Sequence, residues 1–83
     1  MSRHERLMAQ GLIAEKKRRL RELETEITAL IPVAREAIPP FMDLDLINAR
    51  LALDSTRRLF SCTEERKRVL EELQALQKEW GEP

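Results

Sequence analysis

The sequence predicts an all-α fold: an antiparallel two-helix hairpin of coiled-coil character, with dimerisation into a four-helix assembly as its natural completion. Three observations predict it. The chain is 83 residues long with only two glycines, too little turn chemistry for a β fold. Apolar residues recur at helical spacing along two segments of nearly equal length. Between these segments stands Pro39-Pro40, which no helix crosses.

The first helix is predicted over residues 2–38. Ser2 precedes Glu5 by the three residues of a capping box, so the helix can start at the N-terminus. Ile13, Leu20, Ile27 and Ala34 repeat every seven residues, and Leu23, Leu30 and Ala37 form the partner line, with Lys16 as its one polar member. Gly11 weakens the turn before it. Pro32 lacks an N–H and crowds the Thr28 carbonyl, which predicts a kink, but the stripe continues in phase to Ile38.

Residues 39–42 form the predicted tip. Its apolar pair, Phe41 and Met42, reads as a plug closing the bundle end or as a contact point. Asp43 and Asp45 both suit an N-cap, so the second helix is predicted over residues 43–80. Its stripe reads Leu44, Ile47, Leu51, Ser55, Leu59, Cys62, Arg66, Val69, Leu73, Leu76 and Trp80. Gly81 fits the position after the last helical residue, with Pro83 beyond it. Ser61-Cys62-Thr63-Glu64 offers an alternative: a break near Ser61 that makes a three-helix bundle.

A short connection makes the helices antiparallel neighbours. Folding about Pro40 brings the basic run toward Glu64 and Glu65, Glu24 and Glu26 toward Arg57 and Arg58, and Arg35 toward Asp43 and Asp45. Arg3 and Arg6 fall near Glu71, Glu72 and Glu79, and Trp80 with Leu76 is expected on Leu7 and Met8. Exposed charge pairs of this kind select register more than they stabilise.

A hairpin of this width leaves apolar residues beside its seam. Leu12, Ile31, Leu46, Leu53 and Phe60, with Ile38, are the candidate self-association face. The basic run Lys16, Lys17, Arg18, Arg19 and Arg21 is the candidate nucleic-acid contact. The first 21 residues hold seven basic side chains against Glu5 and Glu15. Against that contact, the chain is neutral overall, has no tyrosine, and scatters Phe41, Phe60 and Trp80, so no base-stacking platform forms.

The residues argue against an enzyme, a cofactor and a metal. The single cysteine, Cys62, lies on the apolar stripe, the single histidine, His4, stands at the terminus, and no glycine-rich phosphate loop exists. The longest apolar run, Ala29 to Ala34, contains a proline and is too short to span a bilayer, while Gln10 and Gly11 interrupt any signal-peptide core. A cytoplasmic protein with no membrane partner is expected.

The charged first helix, the proline-ended tip REAIPPFMDLDLINARLAL and the second heptad helix ending in LQKEWG resemble short helical proteins of Mu-like temperate phages and prophages. That resemblance implies a mobile-element origin and a cytoplasmic setting, without an activity. The functional expectation is therefore a non-enzymatic interaction or structural module that self-associates and can take a protein partner. Two rivals stand beside it: a nucleic-acid-binding hairpin using residues 16–21, and a regulator or inhibitor docking on a host protein through the acidic C-terminal face.

Overall fold

The computed structural model describes residues 2–39 and 43–81. Two long helices, α1 (Arg3–Ala37) and α2 (Ala49–Glu79), lie side by side in opposite directions as a rod of 64 × 16 × 15 Å. No strand occurs among the described residues.

Local chemistry explains each end. Ser2, in extended conformation, accepts the Glu5 N–H on its hydroxyl at 3.1 Å, the first half of the predicted capping box. Helix α1 runs through Gly11 and Pro32 to Ala37. Before Pro32, Thr25 and Thr28 donate their hydroxyls to the carbonyls of Arg21 and Glu24 at 2.9 and 2.8 Å. Ile38 then turns extended (φ −125°, ψ 93°), the geometry required of a residue before proline. At the far end of α2, Trp80 donates its N–H to the Leu76 carbonyl at 3.0 Å, and Gly81 adopts φ +71°, where a side chain would be strained.

The start of α2 departs from expectation. The predicted helix from Asp43 is instead a single 3-10 turn, Leu44–Leu46, followed by Ile47 in extended conformation. Asp43 caps only that turn, accepting the Asp45 N–H at 3.2 Å. Asn48 is the true N-cap, its side-chain oxygen accepting the Leu51 N–H at 3.0 Å. The extended step at Ile47 brings the Asn48 N–H to the Ala37 carbonyl at 2.9 Å, joining the end of α1 to the start of α2. A helix continuous from Asp43 would forgo that bond and leave the carbonyl at the helix end unpaired.

The three-helix alternative does not form, because α2 is unbroken through Ser61. Thr63 donates its hydroxyl to the Phe60 carbonyl at 3.0 Å inside the helix and caps nothing. Phe41 and Met42 of the predicted tip lie outside the described residues.

The seam follows the heptads. Ile13, Leu23 and Ala37 of α1 are buried, with Leu20, Ile27, Leu30 and Ala34 half-buried beside them. Leu23, Cys62 and Val69 form the centre, packed by Leu20, Ile27 and Leu30. On α2 the stripe holds from Ser55 to Trp80, but Leu44, Ile47 and Leu51 are exposed and Ala52 takes the seam position. Trp80 faces Arg6, Gln10, Ile13 and Ala14 across a groove rather than Leu7 and Met8, both of which are exposed.

Candidate interaction surface

The seam fixes two flanks. Leu12, Arg19, Glu26 and Val33 each precede a seam residue of α1 and share one flank with Leu51, Arg58, Glu65 and Glu72 of α2. Lys17, Glu24, Ile31 and Ile38 share the opposite flank with Leu53, Thr56, Phe60 and Thr63.

Ion pairs bear out this geometry. On the first flank the Arg19 guanidinium donates twice to Glu65, at 2.6 and 2.9 Å, and Arg58 donates to Glu26 at 2.5 Å. Lys16 donates to Glu72 on the same side. On the second flank Arg66 reaches Glu24 at 3.2 Å. These partners hold the Glu65, Glu26 and Glu72 carboxyls below the usual carboxylate range, chiefly through the hydrogen bonds from Arg19, Arg58 and Lys16. Reciprocally, the Glu65 carboxylate pushes the Arg19 guanidinium up. Burial pushes the Cys62 thiol up, and the neighbouring Glu26 carboxylate adds to the effect. A thiol so held is a packed core group, with no activated nucleophile character.

The register therefore differs from a fold about Pro40. Arg19–Glu65 and Glu26–Arg58 fall within the expected neighbourhoods, but Lys16 meets Glu72 instead of Glu64 or Glu65. Glu24 meets Arg66, about two and a half helical turns beyond Arg57. Arg3, Arg6 and Arg35 make no ion pair with the acidic residues expected opposite them among the described residues. The cause is the chain spent between Asp43 and Asn48, which moves the fold point past Pro40.

The basic run is thus partly consumed within the hairpin. Lys16 and Arg19 are engaged across the seam, and Arg18 lies 3.8 Å from Glu22 one turn along α1. Lys17 is half-buried, while Arg21 is exposed and has no ion pair among the described residues.

The apolar candidates separate into two places. Leu12 shares a groove with Lys16, Arg19, Glu65 and Glu72, in the charged terminal half. Ile31, Leu46, Leu53 and Phe60 belong to the half near the tip, and all are exposed, Phe60 by 68%. Sequence periodicity grouped all five by their distance from the main seam; the antiparallel flanks divide them.

Side-chain sizes are inverted in the tip half. The seam nearest the tip is lined by Ala34, Ala37, Ala52 and Ser55, with Leu30 and Leu59 half-buried toward the centre, while Ile31, Val33, Ile38, Leu51, Leu53 and Phe60 face outward. In the terminal half the order is normal, with Ile13, Val69 and Leu73 inside. Small side chains bury little apolar area, at about 25 cal/mol per Å², so the tip half gains little from its own seam. Its larger apolar side chains remain exposed.

No cluster of three or more metal-ligating side chains occurs among the described residues, and no helix among them is long and apolar enough to cross a membrane. No protein-family model, curated protein or solved structure matches the chain.

Proposed function

We propose that this chain is a non-enzymatic helical interaction module that acts by self-association. One observation carries the reading: the exposed surface is 6679 Å², whereas a compact monomer of 9.7 kDa exposes about 5,100 Å². The excess, about 1,600 Å², exceeds the roughly 800 Å² that each partner contributes to a standard interface. Much of it comes from the rod shape, and a second rod laid alongside is the most direct way to cover it.

The pairing of Lys16 and Arg19 within the hairpin favours protein over nucleic acid as the partner. The proposed setting is the cytoplasm of a cell carrying a mobile element, in keeping with the phage-like tip and C-terminal segments. Sedimentation equilibrium tests the assembly. At micromolar concentration the mass should be at least twice 9.7 kDa. A 9.7 kDa species throughout that range would overturn self-association and leave docking on a different protein as the reading.

A further inference from the structure

We infer that copies of the hairpin stack face to face, the basic second flank of one against the acidic first flank of the next. This rests on the self-association reading and names the two surfaces that meet.

Ion pairing inside the hairpin leaves charge of one sign on each flank. The heptad lines place Arg3 and Lys67 on the second flank with Lys17 and Phe60, and Arg21 and Arg35 stand one turn on from Lys17 and Ile31. Arg3, Arg21, Arg35 and Lys67 are exposed and make no ion pair among the described residues. The one carboxylate at these positions, Glu24, is held by Arg66. On the first flank the sign is reversed. Glu5 and Glu79 extend the lines of Leu12 and Glu72, and Glu15 and Glu36 stand one turn on from Leu12 and Val33. All four are exposed and lack an ion pair among the described residues. The cations of that flank, Arg19, Arg58 and Arg68, are each paired with a glutamate: Glu65, Glu26 and Glu72.

This segregation decides which faces meet. Two-fold pairing through the second flank would set Arg35 and its neighbours against their own copies, with Arg57 at the edge of Leu53 and Phe60 adding to the repulsion. Second flank on first does the reverse. With the rods running in the same direction, Arg3 comes level with Glu5 and Glu79, Arg21 and Lys67 with Glu15, and Arg35 with Glu36. Each match falls within about 10 Å along the axis, at about 1.5 Å per residue. Exposed apolar side chains accompany both charge ladders: Ile31, Ile38, Leu53 and Phe60 on the basic flank, Leu12, Val33 and Leu51 on the acidic one. Their burial supplies affinity, and the charges choose the face. A phosphate backbone complements the basic flank alone, whereas a second copy complements both. Every copy added leaves one flank of each sign open, so the stack grows past a dimer.

Sedimentation equilibrium of two complementary variants tests this. Arg21→Glu with Arg35→Glu spoils the basic flank, and Glu15→Lys with Glu36→Lys spoils the acidic one. Neither touches an interhelical ion pair, and retained helical circular dichroism verifies the fold. Wild-type mass should rise with concentration beyond the dimer at about 0.05 M salt and fall at about 0.5 M. Each variant alone should associate about tenfold or more weakly. Mixed in equal amounts, the two should form a 1:1 dimer that grows no further, because each supplies its one intact flank. If either loses helicity, the Gln substitutions at the same positions are compared and mixed in the same way. A wild type that stops at the dimer, variants that assemble like it, or a mixture that stays monomeric overturns flank-on-flank stacking and leaves self-association standing. A monomeric wild type overturns both readings, and duplex DNA binding lost in the Arg21 and Arg35 variant would then assign the basic flank to phosphate.

Discussion

The backbone N–H of Asn48 donates to the carbonyl of Ala37 at 2.9 Å, so the last turn of α1 and the first turn of α2 share one hydrogen bond. The same residue caps α2 through its side chain, accepting the Leu51 N–H at 3.0 Å. Asn48 thus joins the hairpin and starts its second helix, while Asp43 serves only the 3-10 turn before it.

Separating those roles gives a stability prediction. Asn48→Ala keeps the main-chain bond and loses the cap, and should cost about 1 kcal/mol. Asn48→Asp retains a capping oxygen and should stay close to the wild type, while Asp43→Ala should change little. Urea denaturation followed by helical circular dichroism, at one fixed protein concentration, measures all three. A larger loss in Asp43→Ala than in Asn48→Ala would mean that α2 begins at Asp43.

These two residues also mark where the sequence was legible. Ser2 with Glu5, Ile38 before proline, and Gly81 after Trp80 each have one local solution, and the structure adopts it. The tip offered several: Asp43, Asp45 and Asn48 can all cap, and only the long-range bond to Ala37 selects among them. By hydrophobicity alone Leu51 outweighs Ala52 as the stripe member. Yet the seam takes Ala52, since helix phase is set by the whole line from Ser55 to Trp80. The same preference for large residues conceals the end nearest the tip, where Ala34, Ala37 and Ala52 lie inside and Leu51 and Leu53 outside. Dividing the five apolar candidates between flanks required the ion pairs, because charge order fixes direction but leaves register loose by a turn.

The interhelical ion pairs predict an acid response with a definite sign. Glu26, Glu65 and Glu72 have carboxyls held below their ordinary range in the folded chain, first by hydrogen bonds from Arg58, Arg19 and Lys16. The unfolded chain therefore binds protons more readily. The contribution of these pairs is fully present above the unfolded carboxylate pKa, about 4.3, and is lost as pH falls through the lower folded values. The melting temperature should be flat from neutrality to about pH 5 and then decline, less steeply in Arg19→Gln. The pairs are solvent-accessible, so the decline should be modest and should shrink in concentrated salt. A melting temperature that falls between pH 7 and 5, or identical acid curves for wild type and Arg19→Gln, would refute this assignment.

The basic run supplies the last prediction, which decides between protein and nucleic acid as partner. Lys16 and Arg19 are committed to Glu72 and Glu65, so the two arginines turned most fully to solvent, Arg18 and Arg21, are those a phosphate backbone would meet first. Reversing both to Glu leaves the two interhelical pairs in place and removes this outer charge. If the run chiefly fixes the hairpin, wild-type affinity for duplex DNA or single-stranded RNA at about 0.15 M salt should be weaker than about 0.1 mM. Helicity should then survive the double reversal. Phosphate binding by the run would instead give tight association whose logarithm falls with the logarithm of salt by about 0.9 per phosphate neutralised on duplex DNA. The double reversal would abolish it with the melting temperature unchanged. Weak binding in the wild type is the expected result, because Lys16 and Arg19, held across the seam by Glu72 and Glu65, must give up those partners before they can take a phosphate.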